Sequence, residues 1–569
     1  AAGESEDGLR SRVAAPLGAF AARGLRENET VWRKGFALFA FDKARAGAGN
    51  VWKGERDEFA VSAGTVFYKG MAGARALAAL HAASLAGEDP FRDLAGHFCV
   101  ALSTRDGLVL FNDLYGNCHV FANEEGTVVS NSFVAVARSL ASRNVSRQGL
   151  CEYLTEGTTY GEETVLAGVR RLDSDYVYSL GHVPGRSPKA NPFEALEAGL
   201  PFEDVVERVH LDLQAYAGLL RTHFGDGVAI GLSGGYDSRH LLALLRGAGV
   251  RPYLYVYGPP EAADVLLAKE IAQGEGFELH HVDKRCQGQV EPSSYAEIVG
   301  GQFHLHDGQG LYGAFGNGSD LATRLLRTDG AQLHINGSCG EQYRNIFQLP
   351  DRPMKASTFV RVRHNWADWS IFAPGLGRAE YSERLTAKIL AAIGAPDDLL
   401  DRGQVEMIYP RIRARYRVAP CISVNNVHTS ALAPFTEARF AVPATGIPLK
   451  YKDHGRLHAA LIRRCDPALA RYPSVYGHDF TGPVPLAARL RSLGIAHLSV
   501  PLEPIVRLAR RYRQRPSGEL PWYLSEPYRR AVLGDGPLAI SEFVCLERIR
   551  GASMLSRALT VELLLRGSV

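Results

Sequence analysis

The spacing of apolar residues changes several times along the chain, and each change predicts an element. From about residue 35 to 135, short apolar runs alternate with turn residues, at 36–41, 59–61, 65–68, 98–102, 108–111, 120–121 and 128–130. Runs of that length bounded by Gly, Asn and Asp read as strands, with one helical stretch among them at 74–86. The region therefore reads as a β-rich α+β domain. Residues 1–30 are polar and bear Gly and Ala, which predicts a frayed or disordered start. Residues 181–192, rich in Gly, Pro and Ser, are a plausible linker.

Past the linker the period lengthens. A helix is expected over 206–223, then an apolar run of Val228, Ala229, Ile230 and Leu232 suits a buried strand. Ser233, Gly234 and Gly235 break that run, and Leu241, Leu242, Leu244 and Leu245 resume at helical spacing. A second apolar run at 253–258, a helical pattern over 264–275 and a third run at 278–282 follow. Strand and helix alternating at this spacing imply a parallel sheet with covering helices. Ligands of such sheets sit off the carboxyl ends of the strands. Residues 355–480 are mostly helical in pattern, and 543–565 reads as a closing amphipathic helical segment.

Length and composition narrow the classes. A chain of 569 residues exceeds one core, so two or three domains are expected. The pattern divides it into 1–30, 31–180 and 200–569. Lys+Arg 64 against Asp+Glu 61 leaves +3, which argues against a nucleic-acid partner. No apolar run is long enough for a membrane span, and residues 1–8 lack the features of a secretory signal. The eight cysteines are scattered without a C-x-x-C pair, which predicts reduced thiols and a cytoplasmic location.

The candidate chemistry centres on the break after Leu232. A glycine turn between strand and helix bares backbone N–H groups at a helix N-terminus, a ready anion site. Ser233 and Ser238 add hydroxyl donors, and Asp237 is placed to hold Mg²⁺ on a phosphate. The turn lacks both the Gly-Lys-Ser/Thr ending of a Walker A loop and the spacing of a dinucleotide fingerprint.

Ser233-Gly234-Gly235-Tyr236-Asp237-Ser238 resembles the pyrophosphate loop of the asparagine-synthetase family of ATP pyrophosphatases. The resemblance covers about residues 35–475 and implies an α/β protein in two parts. The first is an α+β glutaminase-like (Ntn-type) sandwich; the second is a parallel-sheet ATP-pyrophosphatase (synthetase) domain with a helical C-terminal part. It implies ATP and Mg²⁺ as cofactors. Ser233, Gly234, Gly235, Asp237 and Ser238 would line the phosphates, with Leu232 beside them among the cofactor-binding residues. Val256 or Tyr257 would hold adenine through main-chain groups, beside Gly337. Glu341 falls where the family has a metal-binding aspartate and would pair with Asp237 across the pyrophosphate. Counting from Gly455, His458 replaces the family lysine that steadies the reacting acyl-phosphate, with Lys450 and Lys452 as rivals.

The glutaminase-like part matches through Leu94-Ala95-Gly96-His97-Phe98, the 111–116 segment and the 129–132 segment, yet its chemistry is expected to be lost. The first cysteine is Cys99, inside a strand; the family's Asn-Gly-Glu segment falls near Gly64-Thr65-Val66; and Ala95 replaces its aspartate. An amine on the substrate or on a second one would then serve as nucleophile, as in β-lactam synthetases and lasso-peptide cyclases. The former place a tyrosine where Ser338 sits, which counts against that branch. The resemblance thus implies an amide ligase that adenylates a peptide or small-molecule carboxylate, with peptide macrocyclisation as the first expectation and a precursor-processing protease as a possible partner. Ammonia-using amidotransfer to a small acid and a catalytically silent nucleotide-binding role are the alternatives. Two other clusters stand out. His304, His306 and Asp307 are expected to border a substrate pocket, and five arginines over 507–515 form a basic run.

Overall fold

The computed structural model describes residues 6–33, 35–44, 49–55, 57–105, 107–181, 184–197, 199–364, 367–375, 377–498, 500–505 and 520–567. The arginine run at 507–515 lies outside the described residues. The fold is mixed α/β, with antiparallel sheets first, a parallel sheet later and a helical C-terminal part.

Six strands form the main path of the large antiparallel sheet, in the order Gly185–Pro188, Tyr176–Gly181, Gly107–Asn112, Leu94–Thr104, Phe59–Tyr68 and Val51–Lys53, with Met71–Ala72 paired off Phe59–Tyr68. The helix Gly73–Leu85 covers one face through Ala76, Leu77 and Leu80. The apolar runs at 59–61 and 65–68 are one strand. Gly64 interrupts the alternation at φ +92, and a Cβ there would meet the His97 carbonyl oxygen at 2.1 Å, so only glycine fits the pairing.

Two expectations are corrected here. The start of the chain is not frayed from residue 6 onward. Glu6–Ala21 is a helix whose Phe20 ring stacks on Phe41 with centroids 4.2 Å apart. Arg26–Arg33 is a strand paired antiparallel with Phe36–Asp42. Its polar face hid it, since only Val31 is buried among its eight residues. The linker at 181–192 is also partly ordered, because Gly185–Pro188 extends the large sheet as its edge strand. Proline at the end of an edge strand costs no ladder bond.

The parallel sheet has five strands, in the order Leu279–Val282, Tyr253–Tyr257, Val228–Gly231, Leu333–Ile335 and Ser430–Leu432. Its middle strand is buried at Val228, Ala229 and Ile230, as the continuous apolar run requires. Helices Phe202–Phe224, Tyr236–Gly247 and Ala263–Gly274 pack around it, the second burying Leu241, Leu242, Leu244 and Leu245.

The outer edge of Ser430–Leu432 meets the antiparallel half. The side chain of Asn426 both accepts from Ala431 N–H (2.9 Å) and donates to Ala431 C=O (3.0 Å). Thr65, on the large sheet, donates to the same Asn426 oxygen at 2.9 Å. Nearby, Glu437 accepts from Gly96 N–H at 3.2 Å and from the Tyr216 hydroxyl. One continuous apolar core contains Phe133, Leu150 and Leu154 from the first half with Ile230, Leu432 and Leu559 from the second. Among the described residues, no helix is long and apolar enough to cross a membrane.

Candidate active site

The strand Val228–Gly231 ends at the carboxyl edge of the parallel sheet, and Leu232 N–H makes a last bond to Tyr255 C=O at 2.8 Å. The chain then turns through Ser233, Gly234 and Gly235 into the helix Tyr236–Gly247. Ser238 closes the turn on itself: its hydroxyl accepts from Ser233 N–H at 3.0 Å and lies 2.9 Å from the Ser233 hydroxyl. Gly235 N–H donates to Ser233 Oγ at 3.3 Å, and Gly234 N–H donates to Asp264 Oδ1 at 2.9 Å. No side chain caps the helix, so its first-turn N–H groups keep their capacity for an anion.

Asp237 sits in the first turn of that helix, facing the loop after the strand Leu333–Ile335. Two glycines let the loop approach. A Cβ on Gly337 would lie 3.1 Å from the Asp237 carbonyl oxygen, and one on Gly340 would lie 2.8 Å from the Asp237 carboxylate. Arg344 Nη2 donates to both Asp237 oxygens, at 2.9 and 3.1 Å. Glu341 is held beside them, its Oε2 accepting from Tyr409 Oη at 2.8 Å and from Cys339 N–H at 3.0 Å. Burial raises the Asp237 carboxyl to about 7; Arg344 opposes that rise and the Glu341 charge adds to it. The structure therefore brings together the two carboxylates expected to share a cation. Sequence reasoning missed the arginine already between them and the turn.

A loop also missed in the sequence lies over the turn. Val475 N–H donates to Gly234 C=O at 3.2 Å, and the Tyr476 hydroxyl accepts from Arg344 at 2.9 Å. Tyr236 stacks on Phe480 with centroids 4.1 Å apart and packs on Tyr476 at 4.8 Å. Arg239, fully buried, anchors this loop by donating to the carbonyls of Tyr472 (2.8 Å) and Pro473 (2.7 Å).

The three candidates for a catalytic cation separate. His458 is close, with Nδ1 3.6 Å from Asp237 Oδ1, but its side chain is fully buried. Burial, His240 and Arg344 all press its imidazole well below the usual histidine range. That direction works against the expected cation, and the ring packs between Tyr236, Tyr343 and His240. Lys450 is exposed, its ammonium 5.3 Å from the Tyr451 ring, and no described contact joins it to the Asp237 cluster. Lys452 is buried in an ion pair with Glu406 and donates to Ala444 C=O at 2.5 Å. The fixed positive charge beside Asp237 is Arg344.

Val256 and Tyr257 run past the last bond of the central strand, beside the turn, as a strand end flanking a ligand should. The Tyr257 hydroxyl accepts from Arg327 at 3.0 Å, and Lys284 lies 4.5 Å from its ring. Of His304, His306 and Asp307, the last two line a cavity beside the large antiparallel sheet. Asp307 accepts from Ser132 Oγ (2.6 Å) and Phe133 N–H (2.5 Å), while His306 bonds Asp320 at 3.0 Å. Among the described residues no group of three or more His, Cys, Asp or Glu side chains is arranged to hold a metal ion. No protein-family profile matches the chain, and no curated protein matches it.

Proposed function

We propose that this protein is an asparagine-synthetase-like ATP- and Mg²⁺-dependent amide ligase, and that it closes a peptide or a peptide-like acid on its own amine. The observation that carries the reading is the uncapped helix Tyr236–Gly247 at the carboxyl end of a central parallel strand, with Asp237 and Glu341 facing each other beside it. ATP would supply the phosphoryl centre that activates a carboxylate, and Mg²⁺ the charge on its phosphates. Two carboxylates suit that ion, which is commonly held by one or two carboxylates plus phosphate oxygens.

The remaining roles follow from position. The first-turn N–H groups and the Ser233 and Ser238 hydroxyls would bind the leaving pyrophosphate. Leu232, Val256, Tyr257 and Gly337 would flank the adenosine. Arg344 would supply a permanent cation close to the phosphates, and a guanidinium keeps its charge where a buried imidazole does not. Glutaminase chemistry has no support in the residues: Ala95 offers no carboxylate, and Thr65 is committed to Asn426.

The test is pyrophosphate exchange into ATP by the full chain, in the presence of Mg²⁺ and candidate peptide acids. Exchange should appear with the true acid and fall at least about 10²-fold in Asp237→Asn, the scale of losing a charge-stabilising group. Parental exchange in that variant would refute the assignment. A second reading, nucleotide binding without ligation, is favoured by the buried His458 and the distant Lys450. It predicts saturable Mg²⁺–ATP binding with no AMP formed from any acid tried.

A further inference from the structure

The cavity that His306 and Asp307 line has no residue of the glycine turn in its lining. About 1230 Å³ opens between the helix Glu6–Ala21, the hairpin of Arg26–Arg33 with Phe36–Asp42, and the large antiparallel sheet. Its walls are largely apolar, with Leu17, Phe20, Leu38, Leu108, Leu110 and Val120 among them. Charged side chains, among them Arg23, Arg138, Arg170 and Glu124, also line it, and a concave space of mixed lining suits a small molecule with an apolar body and a charged end.

One of the cations on this wall is Lys43. Its ammonium lies 3.4 Å from Asn426 Oδ1, 3.3 Å from Thr429 C=O and 3.4 Å from Ser430 Oγ. All three are neutral acceptors at long range, and among the described residues no ion pair to a carboxylate joins them. The adjacent Asp42 is held by Asn28 at 2.6 Å. At another part of the wall, Arg23 faces Asp307 at 4.0 Å. Lys43 is therefore a charge set against an apolar space without a counter-ion. Lys43 is half-buried, and desolvation presses its ammonium down to about 7. An anion delivered with an apolar body would relieve both conditions at once.

We propose that this cavity binds an apolar organic acid, with the carboxylate on Lys43 and the hydrocarbon along the Leu108–Leu110–Val120 wall. The site is independent of the nucleotide reading. It also touches the parallel half, because the Asn426 oxygen that Lys43 approaches is the one that caps Ala431.

Decanoate and decan-1-ol, which share a chain and differ in charge, are the probes, measured by equilibrium dialysis against the full protein. Decanoate should bind saturably at one site and at least about 10-fold more tightly than the alcohol, the scale of a charge-assisted hydrogen bond. Lys43→Met should remove that preference and leave the alcohol within about twofold, while Lys43→Arg should keep it. Leu110→Trp, which fills the space, should weaken both ligands. Equal binding of the two probes to the parent protein overturns the proposal without any variant. So does a preference that survives Lys43→Met, or binding untouched by Leu110→Trp.

Discussion

Asp320 shows how a residue chosen for one role in the sequence finds its meaning through partners elsewhere. His306 was expected to border a substrate pocket, and it is one of three donors to Asp320, with Arg324 at 2.8 Å and Lys284 at 3.1 Å. Burial alone would raise the Asp320 carboxyl, but the His306 hydrogen bond and the charges of Arg324 and Lys284 outweigh it. They hold the group far below the usual carboxylate range. A folded value depressed below the unfolded one stabilises the protein above about pH 4, and that contribution is lost as pH falls further. Asp320→Asn should cost about 3 kcal/mol at pH 7, the low end for opening a buried pair. Denaturant titrations should also show a flatter loss below pH 4 in the variant. An unchanged acid limb would remove Asp320 from the account. Asp237 and Glu341 were legible as candidates because each sits in a short stretch whose turn is written in its glycines, and the Glu341 charge reaches Asp237 in the fold. The charge of His458 was not legible, since burial is a property of the packed molecule. Arg344, three residues past Glu341, was the nearest cation in that loop and the signal that could have been weighed.

Elements were legible where period and length were both strong. The strand–turn–helix at 228–247 follows from an apolar run, two glycines and helical leucines. Ser430–Leu432 was not read, because three residues carry no periodicity. The Tyr409–Val418 π-helix, whose Tyr409 steadies Glu341, likewise gives no pattern to find. The buried anchor of the loop over the turn is Arg239, whose guanidinium meets backbone carbonyls and also lies 4.6 Å from the Phe480 ring. Arg239→Met should release residues 473–480 while leaving the helix that carries position 239 in place. The expected cost is about 2–3 kcal/mol, from charged hydrogen bonds lost in a buried setting. Chymotryptic cleavage at Tyr476 should accelerate by at least about fivefold at a temperature where both proteins stay folded. Equal cleavage rates would show that the aromatic stack around Tyr236 suffices without the arginine.

At the scale of the whole molecule, the first half is expected to have no hydrolytic chemistry of its own. Incubation with glutamine, with and without ATP, should release no glutamate above a buffer control; release in step with ATP use would reverse that expectation. Its worth lies elsewhere. The parallel sheet ends in the strand Ser430–Leu432, and the polar groups along its outer side are answered by Asn426, with Thr65 of the other half bracing that side chain. A shortened chain beginning near residue 200 would keep Asn426 on this strand but lose Thr65, which donates to the same Asn426 oxygen and accepts from Ala431 N–H at 3.2 Å. A strand edge that has lost the sheet beside it recruits other chains. An expression fragment of residues 200–569 alone should therefore clump, and a lineage that discarded the first half would have to build another cover before it could keep the second in solution.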